Sequence, residues 1–230
     1  TIERKSEKPL VLTVTRALIN IESVQSKLLA QNVGYVRLKN FQGNTTRHLQ
    51  ASLQELEQQA KDKGSPNGIK GLVLDLRGNP GGLLDQAIQV SDLFVSQGTI
   101  VATVGFSDKL RDEKKAHADD DDATFPIAVL VNPGSASASE IVAGALKNLN
   151  RAVIIGRQTF GKGSVQVLYD FPDDSALKLT IAKYLTPGDI SIQEVGITPD
   201  IELIPTRVSK ERVDVFAPRR TMGEADLDHH

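Results

Sequence analysis

Three serines fall within five residues in the segment Asn132-Pro133-Gly134-Ser135-Ala136-Ser137-Ala138-Ser139-Glu140. The segment follows an apolar run, Ile127–Val131, and leads into an alanine-rich stretch of helical character. Two readings fit it. In one, Ser137-Ala138-Ser139-Glu140 is a capping box whose side chains satisfy the first N–H groups of a helix. In the other, a strand-to-helix turn exposes a hydroxyl where free N–H groups and the helix dipole favour an oxyanion. The small neighbours Gly134, Ala136 and Ala138 would then let a substrate backbone approach.

A serine nucleophile needs a base. The chain has four histidines, and all are poorly placed. His48 falls in the first turn of a surface-type helix, His117 in a charged loop, and His229 and His230 at the terminus. Lysine is the remaining choice, because burial can bring an amine from its usual pKa of about 10.4 towards neutrality. Lys162 stands out in Gly156-Arg157-Gln158-Thr159-Phe160-Gly161-Lys162-Gly163-Ser164, between two glycines and beside Phe160. A turn lysine facing water is the alternative. A phosphate-binding loop is a poor fit here, since Gly163 stands where Ser or Thr must hold Mg²⁺ and a strand pattern follows in place of a helix. The glycine loop Leu76-Arg77-Gly78-Asn79-Pro80-Gly81-Gly82 is either a tight turn or a set of N–H groups aimed at developing negative charge.

Composition narrows the chemistry further. The chain has 230 residues, with no Cys, no Trp and one Met. Thiolate nucleophiles, disulfides and Cys-ligated metals are excluded. With 27 Lys+Arg against 29 Asp+Glu, the net charge of −2 leaves no nucleic-acid footprint. No run approaches the ~20 apolar residues of a membrane span. The start, Thr1-Ile2-Glu3-Arg4-Lys5, lacks the pattern of a signal peptide, which bears little on export. Four carboxylates at Asp119–Asp122 lack the interspersed Gly and distal Glu of a calcium loop. They mark 107–123 as a solvated, mobile loop.

These groups need a scaffold. Thr1–Lys5 and Leu10–Arg16 read as two short strands; Ile19–Leu29 is partly apolar and uncapped. Gly34–Leu38 reads as a strand, and Leu49, Leu53, Leu56 and Ala60 give Thr46–Lys63 a helical period. Ile69–Leu76 and Ile127–Val131 read as buried strands, Leu83–Leu93 and Ser137–Leu149 as helices. Thr99–Val104 and Ala152–Gly156 are further strands, and Ser164–Tyr169 and Leu177–Tyr184 are strands able to pair. Strands alternating with helices, then closing β structure, place the chain in the α/β class.

Asp75-Leu76-Arg77-Gly78-Asn79-Pro80-Gly81-Gly82, the serine segment from Val129 to Glu140, and Thr159-Phe160-Gly161-Lys162-Gly163-Ser164-Val165-Gln166 together resemble the carboxyl-terminal processing proteases of serine peptidase family S41. The likeness continues through Lys178-Leu179-Thr180, Tyr184-Leu185-Thr186-Pro187-Gly188 and Gly196-Ile197-Thr198-Pro199-Asp200. The resemblance implies a cofactor- and metal-free Ser/Lys endopeptidase that cuts proteins near their C-termini. In it Ser137 is the nucleophile, Lys162, 25 residues on, the base, and Gln166 the residue that orients the lysine amine. The N–H groups of Gly82 and Ala138 form the oxyanion hole. It also implies a twisted αβ core of the crotonase and Clp-protease type with additional β structure over 17–230, preceded at 1–16 by the last hairpin of a PDZ domain. Export, to the periplasm in Gram-negative bacteria, substrates with apolar C-terminal tails, an adaptor and a homo-oligomer belong to the same implication. A catalytically impaired core that only binds peptide or a partner protein, for want of the rest of the PDZ domain, is the alternative.

Overall fold

The computed structural model describes residues 22–105, 110–118, 123–204, 206–208 and 213–215, with 11 and 13 as isolated positions. The hairpin expected at 1–16 and the Asp119–Asp122 run lie outside the described residues. In chain order the elements begin with β1 (Val24–Leu28), β2 (Val33–Leu38), α1 (Thr45–Asp62), β3 (Gly71–Asp75) and α2 (Leu84–Asp92). There follow β4 (Thr99–Gly105), β5 (Arg111–Lys115), β6 (Ile127–Val131), α3 (Ala138–Asn148) and β7 (Ala152–Gly156). The last are β8 (Ser164–Asp170), β9 (Ala176–Thr186), β10 (Ile190–Ser191), β11 (Ile201–Glu202), β12 (Thr206–Val208) and β13 (Val213–Val215).

The apolar runs at β3 and β6 become neighbouring central strands, with Leu72, Leu74, Val129 and Val131 buried on one face and Val73, Ala128 and Leu130 partly buried on the other. The first sheet runs β1-β2-β3-β6-β7-β11. It is parallel from β2 to β11, with β1 antiparallel at one edge. Leu72, Leu74, Val129, Val131 and Ile154 are buried on it. Helix α1 packs on β1 and β2, α2 on α1, α3 and β4, and α3 on β7, β4 and β9. Leu49, Leu56, Ala60, Ile141, Val142 and Leu146 form the buried helical faces, matching the period read for α1. A second, antiparallel sheet has the order β10-β9-β4-β5, with β8 also on β9; β12 and β13 form a ribbon of their own. The α/β class is observed, with parallel and antiparallel sheets as expected of a core with additional β structure.

Two segments differ from expectation. Val24–Leu28, within the uncapped stretch, is a strand, held by antiparallel pairing of Val24 with Leu38 through Leu28 with Gly34. The charged segment 107–123 is not all loop, because Arg111–Lys115 pairs with β4. Its side chains are exposed, so charge does not oppose the pairing, and Arg111 bonds Glu113 and Asp189, each at 2.6 Å. Charge repulsion governs packing of side chains; the backbone ladder does not depend on it.

In the open sheet every parallel strand ends at the same edge, where the connections to the helices emerge. The β3–α2, β6–α3 and β7–β8 connections therefore lie side by side, where α/β folds place their sites. Leu74→Ala, at a fully buried position of β3, is expected to cost about 2–5 kcal/mol. Urea denaturation of the two chains, compared at equal slope, checks it.

Candidate active site

The β6–α3 turn separates its three serines by burial. Ser135 and Ser139 are fully buried, and their hydroxyls donate to the Leu76 and Asn79 carbonyls at 2.8 and 2.9 Å. Both are ties to the neighbouring glycine loop. Ser137 is the one that remains partly exposed. It stands at the N-cap of α3 with φ 56° and ψ −115°, a left-handed region that costs a non-glycine residue about 1–3 kcal/mol. Strain of that size persists only where the surroundings over-determine it.

The surroundings do so through Glu140. This residue is fully buried, and one of its oxygens accepts the Ser137 N–H at 2.8 Å and the Lys162 N–H at 2.9 Å. Two bonds to a single atom keep those two nitrogens within about 6 Å of each other. Its other oxygen accepts the Gly161 N–H at 2.6 Å and the Thr159 hydroxyl at 2.5 Å. Burial raises its pKa above the usual glutamate range, and the four donors, Thr159 first, work against that rise. The charge is met by donors, with no ion pair among the described residues. Glu140 takes Lys162 by its main chain, which leaves the amine outside this cluster.

The Lys162 loop is held from its other side as well. The Phe160 N–H donates to Ser135 O at 3.0 Å, Thr159 N–H to Ile197 O at 3.2 Å, and Glu194 N–H to Gly161 O at 2.7 Å. Ile197 N–H returns to Thr159 Oγ1 at 2.7 Å. Lys147 anchors the end of this buttress, bonding Thr198 O at 2.5 Å and Asp200 at 2.9 Å. The Gly196–Asp200 motif is thus a support for the lysine loop.

The glycine loop lies against Ser137. A Cβ on Gly81 would sit 2.9 Å from both Ser137 Cβ and Ala138 N, so only glycine fits there, at φ +98°. Gly82, at φ +147°, is bracketed by Phe41: Phe41 N–H donates to Gly81 O at 3.0 Å and Leu83 N–H to Phe41 O at 2.9 Å. Among the described residues the N–H groups of Gly82 and Ala138 have no hydrogen-bond acceptor. Asn79 steadies the loop, donating to Leu38 O at 2.9 Å and accepting the Gly81 N–H at 2.9 Å. Asn132 accepts the Gly78 N–H at 2.8 Å.

At the root of this loop Asp75, with no exposed side-chain surface, accepts from Nε and Nη2 of Arg77 at 2.9 and 2.7 Å and from the Tyr35 hydroxyl at 2.6 Å. Burial pushes its pKa up, but the bonds from Arg77 and Tyr35 outweigh burial and hold it below the usual carboxylate range. Gln166 is placed differently from the other sequence candidates. It lies exposed on β8, and its amide donates to Thr180 Oγ1 at 3.4 Å. His117 bonds Asp92 through its backbone N–H at 2.7 Å and Nδ1 at 3.1 Å. That pair is at the C-terminal end of nine-residue α2, about 13 Å along the helix from the Gly82 end. In the sequence Glu140 has a role only in the capping box, and Thr159, Asn79 and Asp75 stand in the family motifs without a role of their own. The Ser-x-x-Glu spacing was a signal for Glu140; nothing local marked the others.

The model of peptidase family S41 matches residues 32–203. The chain belongs to peptidase family S41. It is 44% identical over 227 residues to the carboxy-terminal-processing protease of Bartonella bacilliformis, covering 97% of this chain and 50% of that one. It is 42% identical over 175 residues to the chloroplastic C-terminal processing peptidase of Tetradesmus obliquus, covering 76% and 36%. Among solved structures, the photosystem II D1 C-terminal processing protease superposes with a TM-score of 0.71 at 37% identity, over 80% of this chain and 49% of that one. The chain spans half or less of the length of these relatives.

Glu140→Gln keeps one acceptor oxygen and turns an amino group towards N–H donors. Each orphaned buried donor costs about 1–3 kcal/mol. Hydrogen exchange at Gly161 and Lys162 is expected to speed up at least tenfold by mass spectrometry, with far-UV circular dichroism unchanged. For Asp75 the folded pKa lies below the unfolded one, so its stabilisation is present above the ordinary carboxylate pKa and fades as pH falls through the folded value. The stability gap between the native chain and Asp75→Asn should therefore be large at pH 7 and shrink towards pH 3 in urea titrations.

Proposed function

We propose that this chain is the catalytic part of a serine endopeptidase that cleaves proteins near their C-termini with a Ser137/Lys162 dyad. The observation that carries the proposal is the shared Glu140 oxygen, which fastens the strained Ser137 turn and the Lys162 loop to one point. Family membership and relatives named as carboxy-terminal-processing proteases support it.

In this reading the unprotonated Lys162 amine accepts the Ser137 hydroxyl proton as Oγ attacks the scissile carbonyl carbon. The carbonyl π-bond pair moves onto oxygen, and the Gly82 and Ala138 N–H groups receive that oxyanion. One such donor is typically worth about 10²–10³ in rate. Collapse of the tetrahedral intermediate breaks the C–N bond, and the lysine ammonium returns its proton to the leaving amine. Water, deprotonated by the same amine, then releases the acyl group and restores Ser137. Gln166 would steady the amine once its side chain turns from Thr180. Asp75, Arg77 and Asn79 hold the glycine loop in position. Apolar C-terminal tails as substrates, an adaptor, a homo-oligomer and an exported location complete the proposal, on the strength of the family resemblance.

A fluorophosphonate probe followed by peptide mapping tests it. Labelling is expected at Ser137, absent in Ser137→Ala, and slowed about 10²–10⁴-fold in Lys162→Ala, the range of a general base. Both variants should keep the native unfolding free energy within about 1 kcal/mol. Labelling at Ser135 or Ser139, or undiminished labelling in Lys162→Ala, would refute the dyad.

A further inference from the structure

The β8–β9 hairpin has apolar side chains that stay about half exposed among the described residues. Tyr169, Leu177 and Leu179 are each 47% exposed and Leu168 59%. Register sorts them. Val167 stands opposite Leu179 and Tyr169 opposite Leu177, so these four share one face, since side chains alternate along a strand. Gln166, opposite Thr180, and Leu168, opposite Lys178, belong to the other face.

Strand β8 is also an edge. Among the described residues it pairs with β9 alone. Its sequence, Ser164-Val165-Gln166-Val167-Leu168-Tyr169-Asp170, holds no Pro and no Lys and a single charge, at its last position. Edge strands are normally blunted by such residues, because their unpaired N–H and C=O groups recruit another strand. Beyond the register shift between Val165 and Gln166, the open, largely apolar edge from Gln166 to Asp170 is suited to strand addition, in which main-chain bonds supply affinity and alternate side chains supply preference. This edge also has a direction. It begins at Ser164, one residue beyond the Lys162-Gly163 pair, and its seven residues span about 23 Å.

We propose that the outer edge of β8 receives the substrate polypeptide as an added strand and leads it to Ser137. The proposal rests on the Ser/Lys reading for the point where the track ends. The occupant is an extended segment whose alternate residues are apolar, because every second side chain would extend the Val167–Tyr169–Leu177–Leu179 face. Residues of the other phase can be polar. Recognition through the main chain makes the site tolerant of sequence and intolerant of helical or proline-rich segments.

Hydrogen exchange on the Ser137→Ala chain, with a synthetic ten-residue peptide of alternating Val and Thr, tests it without turnover. Amides within Val165–Tyr169 are expected to slow at least tenfold when the peptide saturates. N-methylation of the peptide's alternate amides in one phase should weaken binding roughly tenfold, and in the other phase leave it unchanged. On the otherwise native chain, Leu179→Lys should raise KM for the same peptide with the fluorophosphonate labelling rate at Ser137 unaltered. Saturation without slowing at β8, or equal weakening in both phases, overturns the proposal. So does protection of β8 that appears without peptide and grows with protein concentration, since a second copy then holds the edge. If β8 is protected while no probe labels Ser137, strand docking stands and the dyad reading falls.

Discussion

One buried carboxylate governs the geometry of this molecule. Glu140 is fully buried, raised in pKa by that burial, and surrounded by four donors from two separate loops. A carboxylate taken out of water without donors would cost several kcal/mol or take up a proton. The Ser137 turn and the 159–162 loop therefore have to close around it together. Relaxation of either loop strips donors from the buried carboxylate, one from the Ser137 turn and three from the 159–162 loop. That mutual dependence is what sustains the left-handed backbone at Ser137, and it places the serine and lysine main chains on one oxygen.

The remaining ties follow the same logic. Ser135 and Ser139 pass hydroxyl bonds to the glycine loop, Asn79 and Asn132 accept its amides, and Phe41 brackets Gly82. Ser135, Ser139 and Asn79, all buried near the turn, are each satisfied by backbone from a neighbouring connection, as buried polar groups generally are. The Asp75–Arg77–Tyr35 cluster anchors the loop to the middle of β2 and the end of β3. The result is a set of donors and a hydroxyl held by rigid elements, the condition for electrostatic preorganisation.

Much of the scaffold was legible in local pattern. Ile127–Val131 and Ala152–Gly156 coincide with β6 and β7, and the spacing of Leu49, Leu53, Leu56 and Ala60 located α1 to within a residue. These segments are long, periodic or uniformly apolar, so local preference and tertiary burial agree. Val24–Leu28 and Arg111–Lys115 were not legible. Their strand state comes from a partner's open edge, and no feature of five exposed or mostly exposed residues announces that partner. Gln166 shows the same limit for side chains, since register on β9 sends its amide to Thr180.

The chain's composition by itself excluded thiol chemistry, and the positions of its histidines left lysine as the candidate base; a Ser-rich strand-to-helix turn and two glycine loops were visible as text. These are properties of residue type and short-range order, which need no folded context. Which serine stays partly exposed, which carboxylate joins the two loops, and which amides remain without an acceptor were decided only by tertiary structure. Residues 140 and 162 are 22 apart in the chain, and Ser135 and Leu76 are 59 apart. Bonds across such separations form because parallel strands deliver their connections to one edge of a sheet, and hydroxyls that look equivalent in sequence become inequivalent once two of them are buried there.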